Sequence, residues 1–458
     1  MQPNHEIKSK EDLLNHFGSS KQLEILDLEQ MEKLLEINVP PEVWEDASNK
    51  NLFSFSKEFV QETKEFTFDY REIKHIYLIS FLTNLTELSL QNNNISDISS
   101  ISKLINLKKI NLGSNCIDDI SVLLSFTDLI YLAELNLSQN QISDTSSILK
   151  LKNLKILDLS SNIIEDISTL QSLLNLTHLY LSYIKLTSYT LALPNLVELS
   201  LKGNKLQDIS GLQHSPKLES LYLSATETTD LRTIPHQLFS LKELYLSQNN
   251  ITEISYLSNF VDLQILDLGN NKQLQNIGSL KFCTQLTNLS ISRTSIADIW
   301  PLQFMKNLKR LDMNDTQVVD LLPLQHLYRL EIISVYAACI IDVSPLQKYT
   351  LIKDLNFRNN NVTNKDTLQH HKKFTKYNFL DQEVPTTDEL KFYSKILKVN
   401  ISLKQIRKIQ VENRASKFRE SMTRQRVYVN LKINEQIRTL NMKIEIWAQF
   451  IQNSDADQ

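Results

Sequence analysis

The sequence predicts an α/β repeat solenoid, with a curved parallel β-sheet on its concave face and 3₁₀ or extended segments on its convex side. Three features of the 458-residue chain predict it. A leucine-rich frame recurs through the middle of the chain, most copies carry asparagine at one fixed slot, and most carry an acid shortly after it. The flanking regions differ, and they predict a helical N-terminal cap and a C-terminal α-helical tail.

The frame is first complete between Leu85 and Ile98, where the sequence reads LTELSLQNNNISDI. It starts thirteen times, at intervals of 20 to 25 residues: Leu85, Leu107, Leu132, Leu154, Leu176, Leu196, Leu218, Leu241, Leu263, Leu286, Leu308, Leu330 and Ile352. An atypical copy precedes these, with apolar residues 22 positions before core positions of the first full repeat: Phe66, Phe68, Ile73, Ile76, Ile79 and Leu82. Since end repeats of solenoids are atypical, we predict a solenoid over residues 63–375, built from an edge repeat and thirteen full repeats.

Alternation within the frame predicts a short strand whose leucines point inward and whose intervening residues point outward. The asparagine slot is occupied as follows: Asn93, Asn115, Asn140, Asn162, Ile184, Asn204, Thr226, Asn249, Asn271, Thr294, Thr316, Ala338 and Asn360. A buried amide there can bond backbone groups of its own turn and the next, and threonine can do part of this. Ile184 and Ala338 cannot, which predicts irregular or weak coils at these two positions.

An acidic residue occupies one slot in most repeats, usually directly before an isoleucine or leucine: Asp97, Asp119, Asp144, Asp166, Asp208, Asp230, Glu253, Asp298, Asp320 and Asp342. Such a ladder could bind calcium, but carboxylates also accept hydrogen bonds from turn N–H groups. We favour this structural role. Return segments of about ten residues are too short for a full α-helix plus its turns, which predicts 3₁₀ turns instead.

The repeat resembles the 22-residue leucine-rich-repeat class, which includes the nuclear regulatory subunit of protein phosphatase-one and the bacterial internalins. The resemblance implies the solenoid fold, and it implies a role in binding other proteins without naming the partner. Internalins are secreted, whereas this chain begins with the polar segment MQPNHEIKSK. We therefore expect an intracellular, cytoplasmic protein, with the nucleus as an open alternative, that is neither secreted nor bound to membrane.

Three tyrosines share the central outward column of the predicted strands, at Tyr180, Tyr222 and Tyr245. Tyr183 lies one column away, and adjacent strands about 4.8 Å apart would make Tyr222 and Tyr245 direct neighbours. Acids surround them in the same two columns: Asp158, Glu198, Glu243 and Asp267. Aromatic residues often anchor interfaces, although tyrosine also favours strands, and the acidic surroundings disfavour nucleic acid.

The two ends do not follow the repeat. Residues 1–62 contain apolar residues at helical spacing and predict a helical cap. Residues 385–453 form the predicted tail, a basic amphipathic helical region that could fold as a hairpin, pair with another chain as a coiled coil, or pack on the solenoid. Between residues 391 and 445 there are 14 Lys and Arg against 4 Glu, a net charge of +10. Since the whole chain has a net charge of −4, the remaining residues have a net charge of −14.

Within the tail, IQVENRASKFR resembles the IQ motif, the recognition helix of the calmodulin family. The matching residues are Ile409, Gln410, Arg414 and Arg419, and Ala415 stands where the motif usually has glycine. The resemblance implies that a calmodulin-like protein binds the tail. A solvated basic helix is the alternative interpretation of the same residues.

Nothing in the sequence indicates catalysis. The chain has six glycines, too few for a glycine-rich phosphate loop beside its turns, and three dispersed cysteines, Cys116, Cys283 and Cys339, that predict no disulfide framework, metal or cofactor. Two functions remain. The first is a non-catalytic scaffold or regulatory subunit that binds a protein, such as a phosphatase or a signalling or cytoskeletal protein, on the concave face. The second is a cytoskeletal or structural adaptor whose tail binds a calmodulin-like protein or self-associates.

Overall fold

The computed structural model describes residues 63–125, 130–360, 362, 364–368 and 376–378. The predicted cap over 1–62 and tail over 385–453 lie outside these residues. The described chain divides into two compact units. The first comprises the residues up to Glu227 together with Thr233–Leu241, and the second comprises Thr228–Arg232 and the residues from Lys242 onward.

Three-residue β-strands recur once per repeat. The first unit contains β1 (Glu65–Thr67), β2 (Glu87–Ser89), β3 (Lys109–Asn111), β4 (Glu134–Asn136), β5 (Ile156–Asp158), β6 (His178–Tyr180), β7 (Glu198–Ser200) and β8 (Ser220–Tyr222). The second contains β9 (Glu243–Tyr245), β10 (Ile265–Asp267), β11 (Asn288–Ser290), β12 (Arg310–Asp312), β13 (Ile332–Ser334), β14 (Asp354–Asn356) and β15 (Lys376–Asn378). Within each unit the neighbouring strands pair in parallel, and β15 extends the sheet one strand past residue 375.

Each strand is followed, in most coils, by a short 3₁₀ helix. These are η1 (Tyr77–Phe81), η2 (Ser99–Lys103), η3 (Ser121–Ser125), η4 (Ser146–Lys150), η5 (Ser168–Ser172), η6 (Ser210–His214), η7 (Leu231–Thr233), η8 (Ser255–Asn259), η9 (Gly278–Phe282), η10 (Trp300–Phe304), η11 (Leu322–Leu324), η12 (Ser344–Leu346) and η13 (Lys365–Leu368). The predicted combination of a parallel sheet with 3₁₀ returns is confirmed, because so few residues per return leave no room for longer helices.

The strand register follows the repeat. Leu135 pairs with Leu157, and Leu157 pairs with Leu179, so that the middle leucine of each strand stacks on that of the next. All three are buried, and the edge repeat contributes buried Phe66 and Phe68 in the same way. One coil cannot bury its own apolar face, so stacking supplies the core, at about 1.5–3 kcal/mol for each leucine removed from water.

The buried asparagines connect successive coils. The Asn162 Nδ2 donates to the carbonyl oxygens of Leu159 in its own coil and Leu137 in the coil before, both at 2.9 Å. Its Oδ1 accepts the N–H of Ile142 at 3.0 Å, also in the preceding coil. The buried asparagines thus bond backbone groups of two coils, as predicted, but the second coil is the preceding one rather than the next. Thr294 occupies the same slot but donates only within its coil, to Ile291 O at 2.7 Å.

The coil that carries Ile184 is irregular, as predicted. Most coils have one residue of positive φ, directly before the asparagine slot, whereas this coil has one on each side of the slot, Tyr183 and Lys185, as do the coils with Arg71 and Thr226 at that slot. Asn204 of the next coil reaches back and accepts the N–H groups of Ile184 and Leu186. The Ala338 coil, in contrast, has a regular backbone with a single positive φ. Its predicted weakness therefore stays a prediction about stability.

The acid of each coil caps the start of the return segment. Asp166 Oδ1 accepts the backbone N–H of Ser168 at 2.7 Å, and Oδ2 accepts the Ser168 hydroxyl at 2.9 Å. Asp119 makes the same pair of bonds, and Asn276 replaces the acid with its amide oxygen. These bonds confirm the structural role that the repeated acid was predicted to have.

A second asparagine ladder, which the sequence analysis missed, lies just before the strands. Asn153 Nδ2 donates to Ile130 O at 2.6 Å, and Asn175 Nδ2 donates to Lys152 O at 2.9 Å. These exposed residues bond only to the preceding coil. The signal was the asparagine that stands directly before the first leucine in several repeats.

The difference between the two ladders can be tested within one coil. Asn162→Ala leaves carbonyl and N–H groups of two coils without partners in a buried position, so we expect the free energy of unfolding to fall by on the order of 3 kcal/mol. Asn153→Ala removes one exposed bond that water can replace, so we expect a loss of under about 1 kcal/mol. Urea unfolding followed by circular dichroism measures both. Equal losses would contradict the assignment of the buried amide as the main connection.

Acid caps predict a specific pH dependence. The N–H and hydroxyl of Ser168 lower the pKa of Asp166, so its stabilising contribution is present above the unfolded-state pKa and is lost as pH falls through the lower folded-state value. Asp166→Asn keeps an acceptor but cannot titrate. We therefore expect the urea midpoints of wild type and Asp166→Asn to differ most near neutral pH and to converge below about pH 4. A difference that does not change with pH would contradict this.

Candidate functional site

The candidate site lies on the strand face, which we define as the two outward-pointing residues on either side of the buried middle residue of each strand. On β6 these are His178 and Tyr180, and on β7 they are Glu198 and Ser200. Parallel register places each residue beside its equivalent on the next strand, so Tyr180 pairs with Ser200 and His178 with Glu198.

The hydroxyl of Tyr180 lies near the carboxylate of Glu198 on the neighbouring strand. Burial and the negative charge of Glu198 raise the pKa of Tyr180, so the phenol stays protonated and remains a donor. His178 Nε2 lies 3.9 Å from Glu198 Oε2, and its Nδ1 is 2.9 Å from the hydroxyl of Thr177. The carboxylate of Glu198 therefore lies close to both the phenol of Tyr180 and the imidazole of His178 on the neighbouring strand.

Small residues separate the tyrosines of the first unit. The order across β6, β7 and β8 is Tyr180, Ser200 and Tyr222. Ser200 is buried, with its Oγ 2.7 Å from that of Ser182. Tyr180 and Tyr222 are both half-buried, so they stand on either side of a low polar floor.

Tyr183 is placed differently from the other tyrosines. It lies in the turn after β6 with φ of 57°, and its side chain is 51% exposed. Lys202 Nζ lies 5.8 Å from the centre of its ring. The ring also covers Gly203, where an added Cβ would come within 2.2 Å of Tyr183 Cδ1. The absence of a side chain at residue 203 therefore positions this aromatic group.

The acids predicted to surround the tyrosines also have a structural role that was not predicted. Asp158 Oδ1 accepts the N–H of Ser160, and Asp267 Oδ1 accepts the N–H of Gly269, each at 2.9 Å. Both bonds close the turn after the strand, as Asx turns do. The carboxylates lie on the strand face beside tyrosines, as expected, but they also hold the backbone.

In the second unit, the Tyr245 hydroxyl donates to Glu243 Oε2 of the same strand at 3.1 Å. Asp267 on β10 pairs in register with Tyr245, so an aromatic and an acid are neighbours here too. Because Tyr222 and Tyr245 belong to different units, their predicted direct adjacency stays a prediction. The residues of the IQ-like motif, Ile409, Gln410, Arg414 and Arg419, lie outside the described residues.

Exposed aromatic residues on the 3₁₀ side of the second unit were not predicted. Phe282 ends η9, while Trp300 begins η10 and Phe304 ends it, and each is about half exposed. The signal was present, because these positions hold small or polar residues in most other repeats. The strand face is therefore not the only surface that displays aromatic groups.

Two further observations constrain the site. In the part of the chain that the structure describes, no three His, Cys, Asp or Glu side chains are grouped so that they could hold a metal ion. No helix in that same part combines the length and the apolar character needed to cross a bilayer.

The comparisons with known proteins agree with this architecture. The family model described as "Leucine Rich repeats (2 copies)" matches residues 83–125, 132–172, 194–236 and 240–282. The matched segments all lie within the repeated coils, and internalins are among the proteins whose structures resemble this fold. No curated protein has a sequence that matches this chain.

Three solved structures illustrate the likeness. The internalin InlF of Listeria monocytogenes strain 4b F2365 is 25% identical with a TM-score of 0.56, and the match covers 78% of this chain and 96% of that one. The functional domain of InlJ from Listeria monocytogenes is 22% identical, with a TM-score of 0.57 and coverage of 71% and 70%. A leucine-rich-repeat protein of Leptospira interrogans is 23% identical, with a TM-score of 0.60 and coverage of 71% and 86%. At these identities the likeness concerns the fold.

The contact between Tyr183 and Gly203 can be tested by a double-mutant cycle. Gly203→Ala places a methyl group into the Tyr183 ring and adds the cost of a positive φ, so we expect a loss of about 2 kcal/mol in the free energy of unfolding. In a Tyr183→Ala background the clash is absent and only the cost of the positive φ remains, so we expect Gly203→Ala to cost about 1 kcal/mol. Urea unfolding of the four proteins measures the coupling. Additive losses would show that the ring does not depend on residue 203.

Proposed function

We propose that this protein is a non-catalytic scaffold or regulatory subunit that binds a protein partner through its strand face. The observation that supports this most directly is that each unit carries half-buried tyrosines among polar residues on its strand face, Tyr180 and Tyr222 in the first and Tyr245 in the second. Tyrosine gives a large contact area and loses little conformational entropy on binding, which is why it is common at interface centres.

The proposal is also supported by how firmly the aromatic groups are held. Tyr245 is hydrogen-bonded to Glu243, and Tyr180 is half-buried beside the carboxylate of Glu198. The strands beneath them are fixed by leucine stacking and by the buried asparagines. A surface that is ordered before binding avoids part of the entropy cost of association.

Candidate partners are a phosphatase or a signalling or cytoskeletal protein, and we place the complex inside the cell, in the cytoplasm or the nucleus. The acids near the tyrosines, Glu198, Glu243 and Asp267, favour a partner surface with basic groups and disfavour nucleic acid. No catalytic role is part of the proposal.

The proposal predicts which surface a partner requires. Full-length protein would be used as bait in a lysate of its own source cells, as wild type and as Tyr222→Ala with Tyr245→Ala. We expect the variant to lose at least about tenfold of a partner that the wild type captures, because two central aromatic contacts are removed. Quantitative mass spectrometry measures the loss.

The matched control is Phe282→Ala with Phe304→Ala, which removes two aromatic residues from the 3₁₀ side. This control should capture the partner as wild type does. If the control loses the partner while the tyrosine variant keeps it, the binding surface is on the 3₁₀ side and the proposal is wrong. Urea unfolding of both variants verifies that each remains folded.

A further inference from the structure

A slot in the first unit has a shape and a chemistry more specific than a general protein-binding surface. Tyr180 and Tyr222 are two strands apart, with Ser200 between them. Strand spacing places the Cα atoms of the two tyrosines roughly 9.6 Å apart. Because the Ser200 side chain is short and buried, the space above it is walled by two aromatic side chains.

The strand spacing leaves room for a cation. A group midway between the two strands that carry the tyrosines is roughly 4.8 Å from each strand, and a cation is attracted to an aromatic ring within ~6 Å of its centre. The carboxylate of Glu198, on the next strand, lies beside the wall at Tyr180. The cation would therefore meet an aromatic ring and a carboxylate together.

The charges around the slot are predominantly negative. Glu198 shares β7 with the floor residue Ser200, and Asp158 lies beside Tyr180 on β5. The negative charges of both acids help to raise the pKa of the Tyr180 phenol. Lys202, two residues after the floor residue, lies over the ring of Tyr183.

Asp158 retains capacity for a ligand. Its Oδ1 accepts the N–H of Ser160 at 2.9 Å, whereas its Oδ2 has no hydrogen bond to any of the described residues. Glu198 lies near the hydroxyl of Tyr180, and a carboxylate can accept several hydrogen bonds. Acceptors therefore lie on two sides of the slot.

We propose that this slot binds an arginine side chain of the protein partner, stacked between Tyr180 and Tyr222 and hydrogen-bonded to Glu198 and Asp158. The inference rests on the proposed function and specifies its partner as one that presents arginine. The planar guanidinium can stack on both rings and donate to carboxylates in its own plane, which an ammonium cannot do. Phosphate and carboxylate groups would be repelled by the same two acids.

The experiment uses the full chain and fluorescently labelled polyarginine and polylysine peptides of equal length as probes. Fluorescence anisotropy at low salt gives the dissociation constants. We expect wild type to bind polyarginine about tenfold more tightly than polylysine, because only guanidinium can use both walls and the acids together. We expect Tyr180→Ala, Tyr222→Ala and Glu198→Gln each to reduce that preference to about twofold or less.

Matched controls separate the slot from general attraction by an acidic protein. Tyr180→Phe with Tyr222→Phe keeps the ring faces and should keep most of the preference for arginine. Tyr131→Ala removes an exposed tyrosine elsewhere, and Glu87→Gln removes a strand-face carboxylate that is not beside the slot, so both should behave as wild type. Urea midpoints identify any variant that is unfolded. If an alanine variant is unfolded, the phenylalanine variant still allows the test.

Equal binding of the two peptides by wild type, or a preference for arginine that persists in both alanine variants, would overturn the proposal. These outcomes differ from a failure of the proposed function. If Tyr222→Ala with Tyr245→Ala loses the cellular partner but no arginine preference exists, the strand face binds a protein by other chemistry. If the partner is retained, the strand-face assignment itself fails.

Discussion

The structure depends on hydrogen bonds between coils that have no other means of satisfying their backbones. A coil of about 22 residues contains one three-residue strand and one 3₁₀ turn, so many N–H and C=O groups have no partner within it. The buried amide of residues such as Asn162 supplies a donor to two coils and an acceptor to one of them. Leucine stacking then adds the apolar core, and both contributions require a neighbouring coil.

This dependence leaves the outward side of the strands available for function. Only the middle residue of each strand is needed in the core, so the flanking positions can vary without loss of the fold. Tyr180, Ser200 and Tyr222 occupy such positions, and so do Glu198 and Asp158. Structural and outward-facing roles are not fully separate, because Asp158 both closes a turn and faces the slot. A binding surface and its support can therefore share a side chain.

The repeat, the buried asparagines and the capping acids were predictable because each follows from one residue type that recurs at one spacing. The 3₁₀ returns were predictable because the return segments are short. The irregular coil at Ile184 was also predictable, since isoleucine cannot replace an amide. The position of Tyr183 over Gly203 was not predictable, because it depends on a turn conformation and on a missing side chain in the next coil. The exposed aromatic residues Phe282, Trp300 and Phe304 were visible as departures from the repeat but were not interpreted.

The sequence alone determined the class of fold and which residues face outward, because period and alternation are local properties of the chain. The tertiary structure decided which outward residues act together. Tyr180 and Glu198 are eighteen positions apart in sequence, and the pairing of β6 with β7 brings their side chains close together. The slot between Tyr180 and Tyr222 likewise exists only because the strands align in register across Ser200, and register is fixed by the stacking of whole coils.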